Sequence, residues 1–395
     1  MKFLLVEPAV KAIAPNIALM KWARWCELNN HEYQYVRGIV IPDIEPAKIL
    51  MSCIFTYDSQ LYEQTIKHYW NLFPNAELIV GGVFPSLNPG WFHELSRTLN
   101  KLIVVNEGIC PQIEDLIPKY NVQIKLEKSD PKYRRDTVVL YASRGCVNRC
   151  SYCAVPRLEG PMRSFKSIAA MLVAGRNELD SRQAVLYDNN FTEHEYFKDI
   201  VYELHYHRMS VDIHGLHVES FTKQHAKLLS MLNWIPQNKN GTAYIRFGFD
   251  RKSYRNDIKR ALKYVRKYRV KAAFFCYLLF NYKDTPDDFW WRIEESQKIV
   301  DKVGKSIFLF PQRYEPFSSL TRNSYISSNW SKEMVIGLTR LFTQTRGFIP
   351  ITRERTIYKW LGNTKDKFFD NIRKSYTGEY KIPKIDWDAL GITEF

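Results

Sequence analysis

The sequence contains no apolar run near the ~20 residues that a bilayer-spanning helix requires, so no membrane association is expected. Its first stretch, MKFLLVEPAVKAIAPN, has only a short apolar run. That is too short for a secretion signal with its cleavage site and reads better as a buried first strand. A disulfide framework is lacking as well. The 7 cysteines are odd in number, and Cys26, Cys53, Cys110 and Cys276 are widely scattered. These absences predict a soluble protein of the reducing cytoplasm. Acidic residues are in deficit: 42 Asp and Glu against 57 Lys and Arg leave a net charge of +15. That excess favours a polyanionic partner such as nucleic acid, or an anionic small molecule. With 45% hydrophobic and 14% aromatic residues in 395 positions, the chain can fill two or three folded domains.

Short apolar runs alternate with amphipathic stretches over residues 1–125. FLLVEP (Phe3–Pro8), KILMSCIF (Lys48–Phe55), AELIVGGVFPS (Ala76–Ser86) and LIVVNEG (Leu102–Gly108) read as strands, and Ile17–Asn29 and Ser59–Leu72 as helices. This alternation predicts an α/β domain with an open parallel sheet. Gly81–Gly82 would let a ligand or a helix approach the backbone closely, or simply make a tight turn. The charged segment EKSDPKYRRD (Glu127–Asp136) reads as a linker. A second βα series follows over residues 137–320. Its strands are expected at TVVLYAS (Thr137–Ser143), QAVLYDNN (Gln183–Asn190), SVDIHG (Ser210–Gly215), AYIRFGFD (Ala243–Asp250), VKAAFFCYLLF (Val270–Phe280) and SIFLFPQRY (Ser306–Tyr314). Six such units suit a full or partial barrel, with ligands at the carboxyl ends of the strands. Residues 321–395 lose the strand rhythm, are basic, and read as helical over Ser331–Thr345 and Asp366–Ser375.

Directly after the first strand of the second series comes YASRGCVNRCSYCAVPR (Tyr141–Arg157), with Cys146, Cys150 and Cys153 in a C-x3-C-x2-C pattern. A structural zinc site takes four ligands. Three thiolates on one short loop suit three corners of a cubane iron–sulfur cluster and leave one iron open to another molecule. The alternative is a zinc knuckle completed by one remote His or Cys. Arg144, Arg149 and Arg157 in the loop favour thiolates and would offset a cluster's negative charge.

With Tyr152 before the last cysteine and a strand before the first, the loop resembles that of the radical S-adenosylmethionine (radical SAM) superfamily. The resemblance implies a [4Fe–4S] cluster on Cys146, Cys150 and Cys153, with SAM chelating the fourth iron. Reductive cleavage of SAM then yields methionine and a 5′-deoxyadenosyl radical that abstracts hydrogen from a substrate. It also implies a partial (βα)6 barrel, to which the tail adds a small helical C-terminal region, and a reducing donor such as flavodoxin or ferredoxin. Within the superfamily, residues 1–320 resemble the group that joins a Rossmann-like, cobalamin-binding-like domain to the barrel, through VGGVFPS (Val80–Ser86), SRGC before the loop and YDNNFT (Tyr187–Thr192). By family position, Tyr152 lies against SAM, and Asp188, Asn189 and Asn190 contact its methionyl end or the substrate. Arg246 in RFGFD neutralises the SAM carboxylate, and Asp250 bonds a ribose hydroxyl. Asn281 and Asp284 replace a Gly and a Glu near the adenine, and Arg313 faces the barrel mouth. Read without the family, strand-end Asp and Asn side chains also cap helices, and Arg246 and Arg313 also suit pairing with strand-end carboxylates.

Two things the group often has are missing. No D-x-H-x-x-G motif occurs in residues 1–120, where His31, His68 and His93 lack the flanking Asp and Gly. Cobalamin is therefore not expected, and the case for radical methyl transfer weakens. No second set of closely spaced cysteines is present, which argues against methylthiolation. RKSYRNDIKRALKYVRKYRVK (Arg251–Lys271) is the densest basic stretch. As a helix it would put Ile258, Leu262 and Val265 on one face and Lys259, Lys263, Arg266 and Lys267 mostly on the other, as either an outer barrel helix or a nucleic-acid surface. The expected function is a radical SAM enzyme acting on an unidentified substrate: a nucleotide or nucleic acid, else a peptide or small metabolite. Its rival is a non-catalytic, metal-stabilised nucleic-acid-binding protein.

Overall fold

The computed structural model describes residues 1–11, 15–122, 137–237, 241–355 and 360–382. The linker expected at Glu127–Asp136 lies outside them. The chain forms two compact units, Met1–Val185 with Glu315–Ser324, and Leu186–Tyr314 with Tyr325–Phe395. The cysteine loop therefore falls with the N-terminal sheet. One local cause is Glu178, on the helix Ala169–Leu179, which pairs with Arg24 and accepts the Tyr120 and Asn121 N–H groups.

In the first unit, β1 (Lys2–Glu7), β2 (Glu32–Arg37), β3 (Lys48–Ser52), β4 (Glu77–Gly81) and β5 (Ile103–Asn106) form a parallel sheet in the order β2-β1-β3-β4-β5. The middle of β1 is apolar at every position because both of its faces are covered. Phe3 and Leu5 pack with Leu19, Ala23 and Cys26 of the helix Ile17–Leu28, while Leu4 and Val6 pack with Tyr62, Ile66 and Tyr69 of the helix Ser59–Leu72. Burying each such side chain contributes about 1.5–3 kcal/mol. Asn16 caps the first helix by accepting the Leu19 N–H at 3.1 Å, which adds about 1 kcal/mol. Strand β2 is not among the strands expected from the sequence. EYQYVR has no apolar run, and it serves as the sheet's half-exposed edge. The chain reverses direction across the sheet between β1 and β3, the place where such sheets open a crevice at their carboxyl ends.

The Gly81–Gly82 pair is explained by backbone packing. Gly82 has φ +103, and a Cβ there would stand 2.7 Å from the Cys53 carbonyl oxygen. The Phe84 N–H bonds that same oxygen at 3.1 Å. The close approach is made by the end of β3 and not by a ligand.

Next come β6 (Thr137–Leu140), the antiparallel pair β7 (Ser143–Arg144) and β8 (Arg163–Ser164), and β9 (Gln183–Leu186) beside β6. The helix Ala169–Leu179 lies so close to β6 that a Cβ on Gly175 would stand 2.4 Å from a Val138 methyl.

In the second unit, β10 (Ser210–Ile213) pairs in parallel with the short β11 (Asn233–Trp234). Strands β12 (Tyr244–Gly248), β13 (Ala273–Phe280) and β14 (Ile307–Arg313) follow in parallel, and β15 (Ile349–Ile351) adds antiparallel to β14. All six strands expected of the second series are present, as β6, β9, β10, β12, β13 and β14. The helix Arg255–Lys267 buries Ile258, Ala261, Leu262 and Val265 and exposes Lys263, Arg266 and Lys267, as its spacing predicts. The helices Lys332–Gln344 and Lys365–Thr377 match the expectation for the tail, but β15 does not. Its central Pro350 suits a strand that borders only one neighbour. Among the described residues no helix is long and apolar enough to cross a membrane.

Candidate functional site

The cysteine loop is built as a closed hairpin. β7 and β8 pair at its base, with Arg144 opposite Arg163. Gly145 follows at φ +75, and a Cβ there would stand 2.2 Å from the Pro161 carbonyl oxygen, so only glycine fits. Its N–H bonds the Glu159 carboxylate at 2.7 Å, and the Cys146 N–H bonds the Gly160 carbonyl at 3.4 Å. Between these ties the chain turns through Cys150 and Cys153, whose backbones bond at 3.0 Å, and enters the short helix Val155–Leu158.

All three cysteines are half-buried. The Asn148 N–H points at the Cys146 sulfur, 3.3 Å away. Burial pushes the Cys153 thiol up, and the nearby Cys150 and Cys146 add to that, against a backbone N–H bond from Val155. Thiols this close disfavour one another's ionisation, a cost that a bound cationic centre removes. Among the described residues no three His, Cys, Asp or Glu side chains close around a single ion. Tyr152 lies half-buried in the loop.

One expectation for the loop is corrected. Arg144 does not offset charge at the cysteines. It stacks on the Tyr141 ring, 4.3 Å from the centroid, and pairs with Glu114 at 3.2 Å and Glu159 at 3.3 Å. Arg149 and Arg157 are exposed.

In the second unit, polar residues gather at the carboxyl ends of the strands. Past β9, Asp188 and Asn190 are buried and Asn189 is half-buried. Gly215, past β10, packs beneath this turn. Its φ is +73, and a Cβ there would stand 2.1 Å from the Asp188 carbonyl oxygen. Asn190 accepts the Thr192 hydroxyl at 2.8 Å, and Thr192 in turn accepts the His217 N–H at 2.9 Å. The enclosed Asn190 Nδ2 has no hydrogen-bond acceptor among the described residues. His217 Nε2 lies 3.2 Å from the Tyr254 hydroxyl, and burial lowers the histidine's pKa.

Arg246 is buried in an ion pair with Asp212, whose other oxygen lies 3.4 Å from His214 Nε2. Burial pushes the Asp212 carboxyl up, but Arg246 and the His214 bond outweigh it and hold the pKa at about 2. Arg246, expected at a SAM carboxylate, is thus already paired with a carboxylate of the chain. Asp250 is half-buried and accepts the Leu279 N–H at 3.1 Å.

Asn281, expected near an adenine, is fully enclosed and bonded to the Tyr314 and Tyr325 carbonyls and the Ser327 N–H. Arg313 also donates to the Tyr325 carbonyl, at 2.8 Å. Asp284 pairs at 2.7 Å with the buried Arg292, which also donates to the Phe249 and Leu279 carbonyls. Sequence reasoning missed Asp212, His214, His217 and Tyr254. Asp212 and His214 were legible in SVDIHG, since residues two apart share one face of a strand.

The fold is a Rossmann-like parallel sheet domain followed by a second parallel βα series, and it has a likeness among solved structures. The chain is similar to the cobalamin-dependent S-adenosylmethionine radical enzyme OxsB, solved with aqua-cobalamin and S-adenosylmethionine bound. The TM-score is 0.51 over 81% of this chain, at 13% identity. This chain matches 54% of the length of that enzyme. No family model matches the sequence, and no curated protein does. At 13% identity the likeness establishes the fold, and the fold is the one expected from the cysteine loop and the strand order.

Proposed function

We propose that the chain is a radical SAM enzyme in which Cys146, Cys150 and Cys153 hold a [4Fe–4S] cluster and SAM chelates the remaining iron. One observation carries the reading: three half-buried cysteines lie on one glycine-closed hairpin directly after β6, the first strand of the second βα series, in a fold similar to that of a SAM radical enzyme. A cluster held by these cysteines would supply the electron for reductive cleavage of SAM, the chemistry that generates a radical able to abstract hydrogen from a substrate.

The chain's own groups have definite tasks in this reading. The Asn148 N–H stabilises the Cys146 thiolate, since hydrogen bonds to cluster sulfurs tune potential. The Asn190 Nδ2, enclosed and in need of an acceptor, is suited to a carboxylate or carbonyl of SAM or substrate. Asp188, Asn189 and Asp250 stand at the strand ends as the groups to contact SAM or substrate, and Tyr152 lies against SAM from the loop. The Asp212–Arg246 pair positions His214. The enzyme works in the cytoplasm with a flavodoxin- or ferredoxin-like donor. The net charge of +15 favours an anionic substrate, a nucleotide or nucleic acid, over a peptide or neutral metabolite.

The test is anaerobic. Protein reconstituted with iron and sulfide receives SAM and dithionite, and 5′-deoxyadenosine is measured beside a Cys146/Cys150/Cys153→Ala triple variant. Release by the wild type alone supports the reading. A colourless, zinc-containing wild type that binds no SAM would overturn it in favour of a metal-stabilised nucleic-acid-binding protein.

A further inference from the structure

Beyond β14 the chain leaves as a loop with a pinched neck. Asn281, at φ +63, donates to the Tyr314 carbonyl at 3.3 Å and the Tyr325 carbonyl at 3.0 Å, and accepts the Ser327 N–H at 2.9 Å. Arg313 bonds the same Tyr325 carbonyl. A loop whose ends are held together this way is an Ω-loop. Its tip, Glu315–Ser324, belongs to the first unit.

The tip is anchored at three points. The Thr56 hydroxyl donates to the Ser319 carbonyl at 2.7 Å. The Asn88 amide donates to the Phe317 carbonyl. The Arg322 guanidinium lies over the Tyr57 ring, 5.2 Å from its centroid. Thr56 and Tyr57 follow β3, and Asn88 follows β4 by way of the short helix Val83–Leu87. All three anchors therefore stand at the carboxyl edge of the N-terminal sheet, where open parallel sheets take their ligands. The helix that ends the cysteine loop reaches the same edge: a Cβ on Gly108, just past β5, would stand 3.5 Å from the Leu158 carbonyl oxygen.

Cobalamin, which the similar structure carries, would have to share this edge with the chain's own Glu315–Ser324, which is anchored there at three points. Among the described residues of the first unit no histidine stands there for a cobalt. His31 stacks on Phe3 at the amino end of β1, with ring centroids 5.2 Å apart; His68 bonds the Val40 carbonyl at 3.0 Å; and His93 is exposed on the helix Pro89–Thr98. We propose that Glu315–Ser324 is the resident occupant of the sheet's ligand-binding edge, and that the N-terminal domain holds this loop in place of a corrin. The inference concerns the cofactor set of the enzyme proposed above, and its test does not depend on 5′-deoxyadenosine release.

Cluster-reconstituted full-length protein is mixed with hydroxocobalamin, and separately with cob(II)alamin, and passed through gel filtration. No retained corrin absorbance is expected. Retention near one corrin per chain overturns the proposal, and if residues 315–324 lose amide protection at the same time, the loop is a displaceable lid. The anchoring is read by hydrogen exchange. Asn88→Ala and Arg322→Ala, each removing one contact, should speed exchange in residues 315–324 by about fivefold. Unchanged exchange in both variants overturns the assignment of the tip. Arg322 is exposed, so its variant keeps the test open should Asn88→Ala fail to fold.

Discussion

Gly145 and Gly160 provide a matched test of how the cysteine loop is built. Both have left-handed backbones, φ +75 and φ +72. A side chain at either one incurs about 1 kcal/mol of backbone strain. They differ in surroundings. A Cβ on Gly145 would stand 2.2 Å from the Pro161 carbonyl oxygen and 2.7 Å from that of Gly160, whereas a Cβ on Gly160 meets nothing within 4 Å. Backbone oxygens cannot swing away as a flexible side chain can. Gly145→Ala must therefore shift β7 against the 160–161 turn by about 1 Å to restore ordinary contact. That shift disrupts the Gly145–Glu159 and Cys146–Gly160 bonds. At about 1 kcal/mol for each bond, on top of the strain and residual crowding, the total cost is roughly 3–5 kcal/mol. It falls on the residue next to Cys146. The assay is iron bound per chain after anaerobic reconstitution, with urea unfolding alongside. Gly160→Ala should keep its iron and lose about 1 kcal/mol, while Gly145→Ala should lose most of its iron. Equal behaviour of the two variants would refute the reasoning, because it would mean that the contact with Pro161 does not shape the loop.

Two further predictions concern the second unit. The Asp212 pKa is depressed from 3.8 to about 2 beside Arg246, so the pair's contribution is fully present above the ordinary value and is lost as pH falls through the depressed one. It amounts to about 2 kcal/mol at neutral pH and is roughly half gone by pH 3. Arg246→Met, which leaves the Asp212 charge buried, should cost about 3–5 kcal/mol at pH 7 and distinctly less at pH 3, as read by urea unfolding. Equal losses at both pH values would contradict the ion pair. Asn281→Ala removes three hydrogen bonds from an enclosed site and should cost about 3 kcal/mol while leaving SAM affinity unchanged in protein that stays folded. A selective loss of SAM binding with stability intact would return Asn281 to the adenine.

What was legible in the sequence was local. Strands β1, β3, β4, β6, β9, β10, β12, β13 and β14 announce themselves as short apolar runs, because a strand covered on both faces has no polar position to spare. The C-x3-C-x2-C spacing needed no partner from elsewhere in the chain, so the cysteine loop could be read as one unit. The helix Arg255–Lys267 followed from its period alone. Strands β2 and β15 were not readable in this way. They border one neighbour, carry Tyr, Gln or Pro, and are strands only because an edge is there to receive them.

Charged and amide side chains depended on tertiary structure most of all. Arg144 sits in the cysteine loop by sequence but finds its carboxylates at Glu114 and Glu159. Arg246 finds Asp212 on the neighbouring βα unit, and Asn281 and Arg313 meet at the Tyr325 carbonyl. A polar group withdrawn from water must be satisfied by whatever lies within reach, and what lies within reach is set by contacts distant in sequence. The sequence by itself therefore determined the fold class and the three cysteines, since both rest on hydrophobic period and ligand spacing along a few residues. Only the tertiary structure decided which polar groups pair with one another at the strand ends and which segment is anchored at the carboxyl edge of the first sheet, because both are outcomes of long-range pairing.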